Sequence, residues 1–143
     1  MQTAAVLRAA FRAADHIVRW GGEEFLVVAR FVDRRDAPAL AEKIRTALAA
    51  HDFRLGDGTT LKRTCSIGFA AYPFAPHQPR AIPWETVVDV ADLGLYAAKR
   101  GGRNAWVGLE AGDAMDPEKA LQRFREDPAA AEAEGAVRVR RAN

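Results

Sequence analysis

The chain has 143 residues, of which 49% are hydrophobic and 28% are charged, an ordinary composition for a globular protein large enough to bury a core. The net charge of +2 argues against a nucleic acid or an anionic membrane as partner, and the single cysteine, Cys65, excludes an internal disulfide and a cysteine-based zinc cluster. The single cysteine also favours a reducing cytoplasm as the location. No apolar run approaches the roughly 18 residues of a membrane span, so we expect no membrane segment.

The first elements predicted are a helix and a tight hairpin. Residues 4–15 are rich in alanine and lack glycine and proline, which favours a helix. Residues 16–20 and 24–31 read as two strands that flank Gly21 and Gly22. The glycines permit a tight turn, because glycine adopts positive φ without a steric penalty.

The middle of the chain alternates between helices and strands. The elements predicted there are a helix opened by Pro38, an irregular stretch with a turn at 51–63, a strand at 64–72, a proline-rich surface loop at 74–83, a helix at 84–100 and a short strand at 104–109. From residue 110 onward alanine, glutamate and arginine dominate the sequence. We therefore predict a domain at residues 1–109 and a peripheral or disordered tail at residues 110–143.

The hairpin tip carries two adjacent acids, Glu23 and Glu24, directly after its glycines. Paired carboxylates suit a hard divalent cation, since Mg²⁺ favours one or two carboxylates together with phosphate oxygens. A solvated turn with two surface glutamates explains the same pattern without any ligand.

Four motifs, taken together, resemble one protein family. Their order and spacing are similar to those of GGDEF domains, the diguanylate cyclase family, over residues 4–108. The motifs are Arg12-Ala13-Ala14-Asp15, Gly21-Gly22-Glu23-Glu24-Phe25, Cys65-Ser66-Ile67-Gly68 and the stretch from Ala91 to Asn104 that ends in Lys99-Arg100-Gly101-Gly102-Arg103-Asn104. The resemblance implies an α+β fold, a ferredoxin-like, polymerase-palm-like mixed sheet flanked by helices.

The resemblance also implies a reaction. In the family, two GTP molecules condense to cyclic di-GMP and pyrophosphate across a homodimer of domains, with Mg²⁺ or Mn²⁺ as the cofactor. Glu23 then matches a metal ligand and Glu24 belongs to the catalytic set, while Gly21 and Gly22 let the backbone approach GTP. Lys99 and Arg103 match residues that bind the GTP phosphates, although cations in a last helical turn also suit the helix dipole alone.

Arg12 and Asp15 match the family's inhibitory site for cyclic di-GMP, with five residues between the tetrad and the GGEEF motif. An arginine suits this role because its planar fork recognises phosphate and guanine edges. A solvated ion pair between residues three apart on a helix is the plain alternative. Trp20, Trp84 and Tyr96 are predicted to pack rather than to stack on bases.

The chain departs from the family at its front. A family segment resembling Asp-x-Asp-x-Phe-Lys, which supplies another metal carboxylate and guanine contacts on a strand inside the sheet, has no counterpart before residue 4. We therefore expect an N-terminally truncated domain with unpaired strand edges and little or no cyclase activity on its own. In the longer family members a sensory or receiver domain lies upstream. The competing function is a non-catalytic cyclic di-GMP receptor that works through Arg12 and Asp15.

Overall fold

The computed structural model describes residues 2–114 and 116–142. The chain divides into two compact units, Met1–Cys65 and Ser66–Asn143, and each is described by itself. Helices and small sheets occur in both units, so the predicted α+β class is confirmed. Within the described ranges, no helix has the length and apolar character required to cross a membrane.

The first unit consists of two helices and two hairpins. Its elements are α1 (Gln2–Ala10), β1 (His16–Gly21), β2 (Glu24–Val28), α2 (Ala37–Ala50), β3 (Phe53–Arg54) and β4 (Thr60–Leu61). Strands β1 and β2 pair antiparallel with His16 opposite Val28, and β3 pairs antiparallel with β4. The buried side chains of the two helices and β3 are Leu7, Ala41, Ile44, Leu48 and Phe53.

The second unit is a three-stranded sheet with three helices. Its elements are β5 (Ile67–Ala70), α3 (Trp84–Arg100), β6 (Trp106–Ala111), α4 (Pro117–Glu126), α5 (Pro128–Ala133) and β7 (Val137–Arg141). The strand order is β5-β6-β7, in which β5 and β6 are parallel and β7 runs antiparallel to β6. Helix α3 is the crossover between the parallel strands, as such a pair requires.

Residues 110–143 differ from the peripheral or disordered tail expected from sequence. They contain the end of β6 and all of α4, α5 and β7, and Leu121, Phe124 and Val137 belong to the buried core of the second unit. Both helices begin in a regular way, because the Asp116 and Asp127 side chains accept backbone N–H groups and a proline follows each. The few apolar residues are spaced so that they all face the core, which bulk composition does not reveal.

Two predictions about aromatic and loop residues are wrong. Trp20, Trp84 and Tyr96 were expected to pack, but each side chain is more than half exposed. The proline-rich loop at residues 74–83 lies less at the surface than predicted, because Phe74 and Ile82 belong to the buried core. These two side chains belong to the same buried cluster as Val107 and Leu109 of β6, so the loop adds apolar packing to a core that has only short strands.

Candidate functional site

The hairpin between β1 and β2 has a loop of only two residues, Gly22 and Glu23. Gly21 pairs with Glu24 across the end of the ladder, and the register shifts between Arg19 and Gly21. Gly22 is the first central residue of this turn and has φ +49°, a conformation that is unfavourable for residues with a side chain. A Cβ added at Gly21 would meet nothing within 4 Å, so the glycine there leaves open space beside the backbone.

Arg19 fastens this loop. Its Nε and Nη2 groups donate to the carbonyl oxygen of Gly22 at 2.9 and 2.7 Å. A forked guanidinium that holds one carbonyl from two sides fixes the orientation of the turn. The motif contains the glycines and the acids but not Arg19, so the motif alone does not reveal this contact.

The turn presents two carboxylates of different exposure. Glu23 is exposed at the tip, whereas Glu24 is partly buried at the start of β2. Carboxylate oxygens are the donors that Mg²⁺ and Mn²⁺ prefer, and a metal held by one or two of them takes its other ligands from water and phosphate. The part of the chain that the structure describes contains no group of three His, Cys, Asp or Glu side chains placed to hold a metal. The two acids of the turn match the one or two carboxylates with which proteins commonly hold Mg²⁺.

The basic residues predicted to bind phosphate lie at the end of α3 in the second unit. Lys99 is partly buried in the last helical turn, and Arg103 is exposed in the loop that follows. The amide of Arg103 donates to the carbonyl of Ala98 at 3.1 Å. Gly102, Arg103 and Asn104 have φ values of 111°, 63° and 46° in succession. Left-handed conformations at two consecutive non-glycine residues are uncommon and mark this loop as a candidate for function.

The third and fourth motifs contain glycines that pack α3 onto the sheet. A Cβ on Gly68 of β5 would lie 2.0 Å from the carbonyl oxygen of Ala91 and 2.1 Å from the amide nitrogen of Leu95. A Cβ on Gly94 of α3 would lie 2.7 Å from the carbonyl oxygen of Val107. These glycines let backbone touch backbone, so their place in the motifs is explained by packing.

Asp15 is a buried carboxylate that joins two backbone segments. Its side chain is 5% exposed, and its two oxygens accept the amides of Arg12 and Arg30 at 2.8 Å each. These hydrogen bonds, with the one from Arg30 the larger cause, hold the pKa of the Asp15 carboxyl below its usual range. The plain alternative of a solvated ion pair on a helix does not describe this arrangement, because α1 ends at Ala10 and the bonded group of Arg12 is its amide.

Arg30 is the residue that sequence reasoning missed. It follows β2, and only its backbone amide connects it to Asp15. A backbone hydrogen bond between residues fifteen positions apart leaves no trace in residue identity, so no motif could have revealed it. Nearby, Lys43 of α2 donates to the carbonyl of Ala10 at 3.1 Å.

Cys65 has no place in this chemistry. Burial raises the pKa of its thiol to about 11, which keeps the group protonated and unreactive at neutral pH. The predicted residues thus occur in three groups. Gly21, Gly22, Glu23 and Glu24 share one loop of the first unit, Arg12 and Asp15 share one turn of the same unit, and Lys99 and Arg103 lie at the end of one helix of the second unit.

Comparisons with known proteins agree on a family. The family model described as "Diguanylate cyclase, GGDEF domain" matches residues 1–105. Diguanylate cyclase A of Treponema denticola is 34% identical over 103 residues, which are 72% of this chain and 26% of that protein. Diguanylate cyclase DgcP of Pseudomonas aeruginosa is 39% identical over 98 residues, which are 68% of this chain and 14% of that protein. The chain therefore spans only 26% and 14% of the lengths of these two relatives.

Solved structures give the same result for the fold. The GGDEF domain of YfiN (TpbB) from Pseudomonas aeruginosa matches with a TM-score of 0.61 and 31% identity, covering 72% of this chain and 57% of that one. The GGDEF domain of DgcB from Caulobacter crescentus, solved in complex with c-di-GMP, matches with a TM-score of 0.58 and 28% identity, covering 71% of this chain and 57% of that one. With four motifs, one fold and one matching family model in agreement, the chain belongs to the GGDEF domain family of diguanylate cyclases.

Proposed function

We propose that this chain is part of a diguanylate cyclase that condenses two GTP molecules to cyclic di-GMP and pyrophosphate across a homodimer. The observation that carries the proposal is the hairpin tip, where two adjacent glutamates follow two glycines in a loop fastened by Arg19. The metal is Mg²⁺ or Mn²⁺, the reaction is cytoplasmic, and an upstream sensory or receiver domain of the longer protein supplies the input.

Each group of residues has a separate task in this proposal. Gly21 and Gly22 leave the backbone free of side chains, so that a nucleotide can lie against the loop. Glu23 would bind the metal and Glu24 would support it; a metal held there would supply neutralisation of phosphate charge and activation of the attacking 3′-hydroxyl. Lys99 and Arg103 bind the β- and γ-phosphates as cations, a role supported by the unusual left-handed backbone that presents Arg103.

Product inhibition is assigned to Arg12 and Asp15. The Arg12 side chain is exposed and available to a phosphate or a guanine edge. Asp15 already accepts two amides, yet a carboxylate has about four acceptor positions, which leaves capacity for guanine N–H groups. In this arrangement Asp15 both fixes the loop and contributes to recognition.

A second candidate is a receptor that binds cyclic di-GMP and makes none. It is favoured by the difference between the two sites of the first unit: Asp15 is buried and held in place by two backbone amides, while Glu23 and Glu24 form no group of three metal donors with other described residues. A receptor needs only the site at Arg12 and Asp15.

Titration calorimetry with cyclic di-GMP, and separately with GTP and Mg²⁺, tests both candidates. We expect saturable binding of cyclic di-GMP that disappears in Arg12→Ala. The matched control is Arg54→Ala, because Arg54 bonds to Gln2 at the opposite end of α1. Loss of binding in the control as well would reduce the effect to general charge and contradict the site.

Glu23→Gln separates the enzyme from the receptor. The substitution keeps the size of the side chain and removes the charge that holds the metal. Under the cyclase proposal it abolishes turnover of GTP and Mg²⁺-dependent GTP binding, while affinity for cyclic di-GMP is unchanged. If this chain shows no GTP binding with either residue and still binds cyclic di-GMP, the receptor function is the correct one for these residues.

A further inference from the structure

Asp15 holds the backbone amides of two arginines close together, and only one of these arginines belongs to a motif. The two oxygens of the carboxylate accept the amides of Arg12 and Arg30, each at 2.8 Å. One carboxylate makes both contacts, so the distance between the two amides is at most the length of two hydrogen bonds plus the width of the carboxylate. Both arginine side chains are exposed.

An exposed aromatic ring follows directly. Phe31 is 85% exposed, and the Arg30 guanidinium lies 5.0 Å from its ring centroid. Phe31 also has φ +54°, a left-handed conformation that bulky side chains rarely adopt and glycine adopts freely. A ring this exposed contributes little to the core, so the fold gains nothing that explains a phenylalanine at a position suited to glycine.

The local charge suits an anion. The hydrogen bonds that lower the pKa of Asp15 keep its carboxylate ionised, so one negative charge stands against the two of Arg12 and Arg30. The next acid along the chain, Asp33, is bound to Arg35 by an ion pair at 2.9 Å. The surroundings of Asp15 therefore retain an excess of positive charge for a ligand with two phosphates.

We propose that Arg30 and Phe31 extend the Arg12–Asp15 site into a binding surface for a guanine-bearing cyclic phosphodiester. Arg30 binds a phosphate beside Arg12, and the Phe31 ring is a platform on which a guanine base stacks. Asp15 is the positioning residue that sets both arginines. This inference rests on the proposed function, since it takes cyclic di-GMP as the ligand of the same site.

Calorimetry with cyclic di-GMP on the whole chain tests the proposal. We expect Arg30→Ala to weaken binding about tenfold, the effect of one hydrogen bond to a charged group. We expect Phe31→Gly to weaken it about five- to hundredfold, the range for one base stacked on an aromatic side chain. Phe31→Trp keeps the platform and retains the affinity of the original chain, and Arg54→Ala is the charge-matched control.

The thermal midpoint distinguishes a binding role from a structural one. Phe31→Gly removes a strained, exposed side chain, so it is expected to leave the midpoint unchanged or raised while affinity falls. If Arg12→Ala loses binding while Arg30→Ala and Phe31→Gly bind like the original chain, this inference is overturned and the proposed product site stands. If the original chain binds no cyclic di-GMP at all, the product site and its extension both fail.

Discussion

The buried carboxylate of Asp15 has an energetic consequence at the level of a single residue. Its oxygens replace water with the amides of Arg12 and Arg30, which stabilises the ionised form. Removing either amide partner is impossible by substitution, except with proline, so the side chain is the part that can be tested. Protonation of the Asp15 carboxylate by acid is the least disruptive test, since it adds a single proton.

Acid is therefore expected to weaken the fold through Asp15. The pKa of this carboxyl in the folded chain lies below the ordinary value of 3.8. Its contribution to the free energy of unfolding is fully present above 3.8, and it is lost as pH falls through the lower, folded value. Urea unfolding at neutral pH and again at about pH 3 measures the loss.

Asp15→Asn provides the comparison for this acid effect. In asparagine an NH2 group replaces one carboxylate oxygen and faces a backbone N–H group, so the variant is expected to be less stable at neutral pH and to lose less stability in acid. Asp36→Asn is the control, because the Asp36 side chain makes no capping bond at the start of α2. An unchanged acid response in Asp15→Asn would show that other carboxylates govern it.

The two hairpin glycines are expected to respond differently to alanine. Gly22→Ala places a side chain at φ +49° and should cost about 1–2 kcal/mol of unfolding free energy. Gly21 has no positive φ and its added Cβ meets open space, so Gly21→Ala should change stability by less than about 0.5 kcal/mol. If the nucleotide lies against this backbone, Gly21→Ala nevertheless weakens GTP binding in calorimetry.

At the scale of elements, packing glycines make a clear prediction. Gly68→Ala forces a Cβ into the backbone of α3, with contacts of 2.0 and 2.1 Å, so α3 and β5 must separate. Overpacking typically costs about 1–3 kcal/mol, and backbone contacts place this substitution at the upper end. Gly56→Ala is the control, because its Cβ would meet nothing within 4 Å. Equal unfolding midpoints for the two variants would contradict the close contact.

Elements with strong local signals could be predicted from the sequence. The bounds of α3 agree with the prediction, since a long apolar stripe runs from Trp84 and Gly101 stops it. The glycine hairpin likewise has the predicted position. Helix α1 ends at Ala10 rather than at residue 15, because Asp15 competes for the backbone of the turn that follows. The burial of Phe74 and the hydrogen bond of Arg30 depend on residues far along the chain, and local sequence patterns do not contain this information.

For the molecule as a whole, the main difference from expectation lies in residues 110–143. Helix α4 carries five charged side chains and only two large buried apolar ones, Leu121 and Phe124, so its mean composition is typical of a solvated segment. The core positions Ala120, Leu121 and Phe124 become visible only once the sheet gives the helix a face to cover. The boundary at residue 109 therefore remains a prediction of where the family domain ends. It does not mark the end of the packed core.

Core substitutions in α4 test this packing. Phe124 is 5% exposed, so Phe124→Ala should cost about 3–5 kcal/mol of unfolding free energy. Arg125→Ala, one position along on the exposed side, should be close to neutral. Thermal and urea unfolding of both variants give the comparison. Equal stability of the two variants would show that Phe124 of α4 does not pack in the core.

The two outer strands of the second sheet differ in charge, and this difference affects how copies of the chain meet at high concentration. Strand β7 carries Arg138, Arg140 and Arg141, whereas β5 is Ile67-Gly68-Phe69-Ala70 without a charge. Each of these arginines is ion-paired with an acid of the same unit, and charged side chains along an edge disfavour the addition of a strand. We therefore expect a strand that joins this sheet to join at β5. Pairing of two β5 edges uses up the permissive edge of each copy. We therefore expect any self-association through this sheet to end at a closed pair and not to grow into fibres.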